Sequence, residues 1–216
     1  MIRHHPTEDR LAAYAAGGSS EAESLLVASH LVLCPDCRRR VGDYEALGGM
    51  LLEALPAEPL AEDSLARTLA RLDRTAPEAP PVARAPAPAG GLALPRPICN
   101  LVGQDMTRLA WRPAGPGVLF HRLPVAGARA WLLKVRPGRG VPDHGHSGEE
   151  AVMVLAGSYR DGEERYGRGD VQSAGPETRH RPIAEPGEDC LCLVVIEGRL
   201  RFANPLGRLY AAMLGF

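Results

Sequence analysis

The 216-residue chain has a formal net charge of −1 at pH 7, with 25 basic and 26 acidic side chains. This balance gives no electrostatic basis for direct nucleic-acid binding, and the longest apolar runs are too short to cross a bilayer. Since the N-terminus also lacks an apolar secretory signal, we expect a cytoplasmic protein with no membrane contact. In that compartment the five cysteines favour metal or redox chemistry over a disulfide framework.

Residues 1–75 are predicted to form a small helical domain. Ser20 and Glu23 have the spacing of a capping box, which begins a helix. Pro35 can occupy the first position of the next helix, where its missing N–H costs nothing. The four helices predicted from apolar spacing and end signals cover residues 7–16, 20–34, 35–55 and about 63–73.

The helical region contains the pattern His30-x3-Cys34-x2-Cys37. His30 and Cys34 lie one helical turn apart and therefore face the same side, and Cys37 follows the bend at Pro35. A histidine near the N-terminus, His5, can supply a fourth ligand. Two imidazoles and two thiolates select zinc in a closed, structural site, which would stabilise a domain with a small core.

Two other interpretations of the cysteines compete with zinc. Cys34-Pro35-Asp36-Cys37 could form a thioredoxin-like redox pair, but that motif follows a strand, whereas a helix precedes it here. Alternatively, the cysteines are ordinary buried residues, which does not explain the spacing to His30. We therefore favour zinc.

Residues 76–97 differ in composition from the helical region. They contain seven prolines, which alternate with alanine and are interrupted by Gly90-Gly91. This composition predicts a semi-rigid, extended linker that marks a domain boundary. Few contacts are expected to cross such a boundary.

Beyond the linker, residues 98–203 are predicted to form an all-β domain, followed by a tail, 204–216, with a short helix. Short apolar runs separated by glycine and proline turns are typical of a barrel. The predicted strands cover residues 118–123, 130–136, 150–155, 171–173, 190–197 and 200–202.

Inside this region, His144 and His146 lie two apart, so on a strand both imidazoles leave the same face. Glu150 follows after three residues, and His180 comes after the glycine-rich turn at 167–170. Three imidazoles and a carboxylate suit a divalent transition metal. Together with Gly138 and Gly157 on either side, this pattern resembles the two motifs of the cupin family, a jelly-roll (double-stranded β-helix) barrel that holds a metal.

The helical pattern resembles the signature of the zinc-binding anti-sigma domain. With a cupin behind it, the whole chain is similar to the ChrR-type anti-sigma factors over about residues 1–203. The resemblance implies zinc at both ligand sets, a multidomain α and β fold, and a 1:1 complex with an extracytoplasmic-function (ECF) sigma factor. It also implies release of that factor when the cupin senses singlet oxygen or organic peroxide. Cys190 and Cys192 face one side of a strand and are either small core residues or redox sensors.

A metal-dependent cupin enzyme, such as a dioxygenase with a helical appendage, is the alternative function. Three histidines and a glutamate serve catalytic cupins equally well, so the barrel alone does not decide. The helical zinc pattern favours the regulator, because a small-molecule dioxygenase has no need of it.

Overall fold

The computed structural model describes residues 2–74 and 94–202. The predicted tail and most of the predicted linker lie outside these ranges. All four predicted helices are present, with ends within three residues of those expected. The helices are α1 Glu8–Ala15, α2 Glu21–Leu33, α3 Pro35–Glu53, α4 Ser64–Arg74 and α5 Arg96–Val102.

The first two helices begin at side-chain caps. The Thr7 hydroxyl accepts a hydrogen bond from Arg10 N at 3.4 Å, and the Ser20 hydroxyl accepts one from Glu23 N at 3.2 Å. Each cap satisfies one of the amides that a helix leaves unpaired at its first turn. Only half of the expected capping box forms, because the Glu23 carboxylate instead lies 3.4 Å from Arg10 Nε.

The sequence pattern does not predict helix α5, whose residues span the end of the proline-rich stretch and the start of the β-region. Its two prolines lie at Pro95, the N-cap, and Pro97, in the first turn, where a missing N–H is tolerated. Ile98 of this helix is fully buried. The helix therefore belongs to the packed body of the protein.

Apart from loops and a short 3₁₀ helix, Met106–Arg108, the remainder of the described chain is antiparallel β-structure. The six predicted strands and the His144–His146 strand are all present, and shorter strands were missed. The strands are β1 Arg112–Gly115, β2 Val118–Arg122, β3 Arg129–Val135, β4 His144–His146, β5 Glu150–Ala156, β6 Ser158–Asp161, β7 Glu164–Gly167, β8 Val171–Ala174, β9 Arg179–His180, β10 Ile183–Ala184, β11 Cys190–Ile196 and β12 Leu200–Phe202.

These strands form a six-stranded sheet in the order β1-β2-β3-β11-β5-β8, and two three-stranded sheets in the orders β10-β6-β7 and β12-β4-β9. Residues from all three sheets line one apolar interior. Helices followed by a cupin-like β-domain are the predicted fold class, which the structure confirms.

Strand β11 shows how one sheet serves two cores. Its side chains alternate between the sheet's faces, and all seven of its residues are buried. Cys190 and Cys192 belong to the cluster inside the barrel. Leu191 and Leu193 belong to a second cluster on the outer face of the sheet, which also contains buried residues of α2.

The helices therefore pack against the outer face of the six-stranded sheet. Leu26 and Val27 of α2 are fully buried in the same cluster as Leu193, and the Glu21 carboxylate accepts a hydrogen bond from Ala126 N, in the β2–β3 loop, at 2.7 Å. The expectation that few contacts cross the boundary is wrong. A proline-rich connection limits only the path between two segments, whereas apolar side chains on both surfaces decide whether they dock. In the ranges described, no helix has the length and apolarity needed to span a bilayer.

Candidate metal centres

The first candidate centre lies where the N-terminal segment meets the α2–α3 junction. Cys34 ends α2 and also caps α3, since its Sγ accepts a hydrogen bond from Cys37 N at 3.4 Å. Pro35 occupies the first position of α3 and so turns the chain sharply between the two cysteines. His30 lies one turn earlier on α2. The local sequence thus brings three potential ligands to one point.

His5 completes this cluster from the N-terminal segment. His5 Nδ1 lies 3.5 Å from Cys34 Sγ and 3.3 Å from Cys37 Sγ, and His30 Nε2 lies 3.3 Å from Cys37 Sγ. One ligand atom from each of the four residues lies within 4.8 Å of the others. His30 and Cys37 are fully buried, and Cys34 is almost so. We name these four residues the helical cluster.

Its electrostatics favour a bound cation. His30 Nδ1 lies 2.9 Å from the Gly169 carbonyl oxygen, which can only accept, so Nδ1 carries the proton and Nε2 directs a lone pair at the cluster. Burial lowers the pKa of His30 to about 4. Burial and the adjacent Cys34 thiol raise the pKa of the Cys37 thiol to about 12. Two neighbouring buried thiols cannot both ionise without a compensating positive charge.

The separations also fit zinc. Tetrahedral zinc bonds of about 2.0–2.3 Å place neighbouring ligand atoms roughly 3.3–3.8 Å apart. The contacts of His5 and His30 with the two sulfurs, at 3.3–3.5 Å, match that range. Because all four ligands come from protein, such a site would be closed and structural.

The second candidate centre lies inside the barrel. His146 Nε2 and His144 Nε2 lie 3.0 and 3.1 Å from His180 Nε2. Glu150 Oε2 lies 3.6 Å from His146 Nε2 and 3.4 Å from His180 Nε2. All four side chains are buried. We name them the barrel cluster.

Strand pairing brings the barrel cluster together. His144 on β4 is the register partner of His180 on β9, and His146 is two residues along the same face of β4. Glu150 begins β5 after the 147–149 turn. The separations suit a metal, since metal–nitrogen bonds of about 2.0–2.1 Å put neighbouring nitrogens roughly 2.8–3.4 Å apart.

Outer hydrogen bonds orient two of these imidazoles. His144 Nδ1 donates to the Pro142 carbonyl at 2.8 Å, and His180 Nδ1 lies 2.8 Å from Asp161 Oδ2. Both Nε2 atoms therefore point inward, 3.1 Å apart, an arrangement that suits a shared metal ion. Burial lowers the pKa of His144. Burial also opposes protonation of His180, but bonds and charges from Glu150 and Asp161 outweigh it and raise that pKa.

A cavity of about 90 Å³ adjoins the barrel cluster and is lined mostly by apolar side chains, with Cys190 and Cys192 among them. Their sulfurs lie 3.6 Å apart in the reduced form, and both thiols are buried. The adjacent Cys190 thiol and burial raise the pKa of Cys192 well above its usual range. A raised pKa disfavours the reactive thiolate, so these residues suit packing better than ready oxidation.

The structure thus brings the eight sequence-predicted ligands together in two clusters of four. It also shows supporting groups that sequence reasoning missed. Asp161 holds His180, Gly169 holds His30, and Asp170 contacts the backbone beside His5. The spacing of the Gly167–Asp170 turn relates it to His180, and nothing in that spacing points to the helical cluster.

Comparison with known proteins identifies the family of this chain. Residues 6–38 match the family model described as "Putative zinc-finger", and residues 101–199 match that of the "ChrR Cupin-like domain". The chain is 44% identical over 209 residues to the anti-sigma-E factor ChrR of Cereibacter sphaeroides, with 96% of each sequence covered. The chain belongs to the ChrR family of anti-sigma factors.

A solved structure of the ChrR family has the same fold. The crystal structure of Rhodobacter sphaeroides SigE in complex with the anti-sigma factor ChrR matches with a TM-score of 0.77 and 43% identity, covering 91% of this chain and all of that one. An RmlC-like cupin protein from Ralstonia eutropha also matches, with a TM-score of 0.40 and 27% identity, over 47% of this chain and 71% of that one. The two family models cover every residue of the two clusters except His5.

Proposed function

We propose that this chain is a cytoplasmic anti-sigma factor. In this proposal, the helical region, about 1–75, holds one ECF sigma factor in a 1:1 complex. Zinc in the helical cluster keeps the helices in their binding arrangement, and a metal in the barrel cluster, also zinc, serves the sensing barrel of about 98–203. Release follows oxidative stress such as singlet oxygen or organic peroxide. Likeness to a ChrR solved in complex with SigE supports the choice of partner.

The observation that carries the proposal is a set of large apolar side chains that stay exposed among the described residues at the end of α3, in the following loop and on α4. Helix α4 contains no buried residue. Soluble monomers rarely expose contiguous apolar surface without a partner. Nine large apolar side chains are exposed along the end of α3, the following loop and α4, namely Leu47, Met50, Leu51, Leu52, Leu55, Leu60, Leu65, Leu69 and Leu72.

Helix α4 has the form of a helix that docks in a groove. Leu65, Leu69 and Leu72 follow i, i+4, i+7 spacing and so lie along one face, and they are 71%, 51% and 64% exposed. An amphipathic helix presenting such anchors is a common recognition element. A sigma factor with an apolar groove would cover this face.

The docking test uses the double variant Leu65→Asp/Leu69→Asp, co-expressed with the sigma factor encoded nearest on the same genome. Loss of two of the three anchors is expected to weaken binding by about 30-fold or more, the scale of an interface hot spot. The matched control is Ile183→Asp, which alters an exposed apolar side chain on the barrel. Wild-type affinity in the double variant would disprove docking through α4.

Sensing by the barrel is tested with a sigma-dependent reporter strain. His146→Ala and Glu150→Ala remove ligands of the barrel cluster, far in sequence from the helices. Repression should persist, while induction by singlet oxygen or organic peroxide should be blunted. The control is His121→Ala, a barrel histidine outside both clusters. Normal induction in both ligand variants, with barrel metal confirmed absent, would place the sensor elsewhere, Cys190 and Cys192 being the next candidates.

Metal analysis separates this proposal from a cupin enzyme. About two zinc ions per chain are expected of the regulator. One iron or manganese ion in the barrel, with turnover of an organic substrate, would instead favour the enzyme.

A further inference from the structure

The turn between β7 and β8, Gly167–Asp170, belongs to the barrel but touches the helical cluster. Its Gly169 carbonyl accepts the hydrogen bond from His30 Nδ1 at 2.9 Å. The same residue is anchored to the barrel, because Gly169 N donates to the Val154 carbonyl of β5 at 2.8 Å. A hydrogen bond of this kind fixes the tautomer and the ring orientation of a metal-binding histidine. The acceptor for His30 is thus set by the barrel.

Asp170 reaches the other histidine of the helical cluster through the backbone. Its Oδ1 accepts hydrogen bonds from Arg3 N at 2.6 Å and His4 N at 3.0 Å, and its Oδ2 accepts one from Gly167 N at 2.8 Å. Asp170 is buried, with 5% of the residue exposed. The two amides immediately before His5 are therefore held by one buried carboxylate of the barrel.

Main-chain pairing continues this contact. Val171 N donates to the His4 carbonyl at 3.0 Å, so the N-terminal segment lies alongside the start of β8. Gly169 permits the close approach: its φ is +92°, and an added Cβ would lie 2.7 Å from Ile2 Cδ1 and 3.6 Å from Leu33 Cδ1. Glycine adopts this backbone conformation without strain and leaves room for the Ile2 side chain.

The same turn leads back to the barrel cluster. Gln172 lies two residues beyond Asp170, and its Nε2 donates to Asp161 Oδ2 at 2.6 Å. That oxygen also holds His180 Nδ1 at 2.8 Å. His180 of the barrel cluster is therefore connected to Asp170, which supports the helical cluster. The connection runs through the hydrogen bonds of Asp161 and Gln172 and through the backbone of residues 170–172.

We propose that the Gly167–Asp170 turn positions the helical metal site. Asp170 positions His5 through the amides of Arg3 and His4, and the Gly169 carbonyl orients His30. Two of the four candidate ligands of the helical cluster are therefore held by the barrel, so the barrel sets the geometry of the helical cluster. This inference rests on the metal site of the proposed function, and does not depend on the sigma factor.

The test measures metal release from the full-length protein loaded with Co²⁺. Thiolate-to-cobalt charge-transfer absorption reports the helical cluster alone, since the barrel cluster contains no thiolate ligand. After EDTA is added, this absorption should decay about 10- to 100-fold faster in Asp170→Ala than in wild type, the usual effect of removing an outer-shell partner. Asp170→Asn should fall between the two, because its amide oxygen still accepts from Arg3 N and His4 N while its NH₂ group cannot accept from Gly167 N.

The matched control is Asp189→Ala, which removes a half-exposed barrel carboxylate paired with Lys134 at 3.1 Å; it should release cobalt at the wild-type rate. If Asp170→Ala fails to fold, Arg3→Pro decides, since it removes one donor to Asp170 and leaves the barrel sequence intact. Arg3→Ala keeps that amide N–H while losing the same side chain, so it is the control for Arg3→Pro. Faster release is expected in Arg3→Pro than in Arg3→Ala.

Two results would overturn the inference, and they are distinguishable. The first is cobalt release at the wild-type rate in Asp170→Ala, or equal release rates in Arg3→Pro and Arg3→Ala, when the starting charge-transfer absorption is normal. This result would show that the turn does not position the ligands. Absence of the absorption from wild-type protein would show that the helical cluster binds no metal through its cysteines. That second result would remove the proposed zinc site together with the inference.

Discussion

The turn between His146 and Glu150 is so closely packed that a single methyl group should disrupt it. A Cβ at Gly148 would lie 2.1 Å from the Glu197 carbonyl oxygen and 2.9 Å from its carbon. Those atoms are backbone and cannot rotate away, so one loop must retreat by more than about 1 Å to restore van der Waals contact. Hydrogen bonds bind the same loops together, Glu197 N to the Glu149 carbonyl at 2.7 Å and Ser147 N to the Arg199 carbonyl at 2.9 Å.

The cost of Gly148→Ala follows from these contacts. Overpacking costs about 1–3 kcal/mol, and one or two lost hydrogen bonds add about 1 kcal/mol each. The free energy of unfolding should therefore fall by about 2–5 kcal/mol. Because Gly148 lies between two ligands of the barrel cluster, metal affinity there should also fall by about 10- to 100-fold, as when a supporting group is lost.

Urea unfolding and metal titration of the purified protein test both consequences. The matched control is Gly48→Ala on α3, where an added Cβ meets nothing within 4 Å. That change should stabilise the helix by about 0.5–1 kcal/mol, because alanine loses less backbone entropy than glycine. Unchanged stability and unchanged barrel metal affinity in Gly148→Ala would refute the packing described for this loop.

Three further predictions concern the clusters themselves. Cys37→Ser should lose one of about two zinc ions per chain by elemental analysis, together with binding of the sigma factor; full zinc content would contradict its role as a ligand. In metal-stripped protein, the pKa of His30 is lowered from 6.5 to about 4 by burial, so the folded state binds fewer protons between those values. The contribution of His30 to the free energy of unfolding should be fully present above pH 6.5 and fall by about 3 kcal/mol on acidification to pH 4. Urea unfolding at a series of pH values measures this fall, and an equal fall in His30→Gln would assign it to other groups. Asp161→Ala should weaken metal binding in the barrel cluster about 10- to 100-fold by freeing the His180 ring, and an unchanged affinity would mean that the ring is held by its strand alone.

Short-range spacing was enough to predict most of the candidate ligands that the structure brings together. His30, Cys34 and Cys37 lie within eight residues, and a helix with a proline bend is sufficient to bring them together. His144 and His146 share a face because strand side chains alternate. Such patterns depend on local backbone geometry, which short sequences encode, and they supported the family resemblance that comparison with known proteins confirmed.

Local sequence patterns were likewise enough to predict the longer strands. The apolar run of β11 predicted a buried strand, and the structure gives Cys190–Ile196. Short strands such as β9 and β10, of two residues each, have too few residues to show alternation. The prolines around helix α5 favour a linker on sequence pattern alone, although proline is tolerated in the first turn of a helix.

What the sequence by itself determined is the identity of the two sets of candidate ligands and the order of a helical and a β-rich region. Only the tertiary structure decided how the two regions meet. The contacts of Asp170 with Arg3 and His4 join residues more than 160 positions apart, and the acceptor for His30 is the main-chain carbonyl of Gly169. A carbonyl is common to every residue and leaves no mark in a sequence. Its position becomes known only when apolar packing has placed the helices on the sheet.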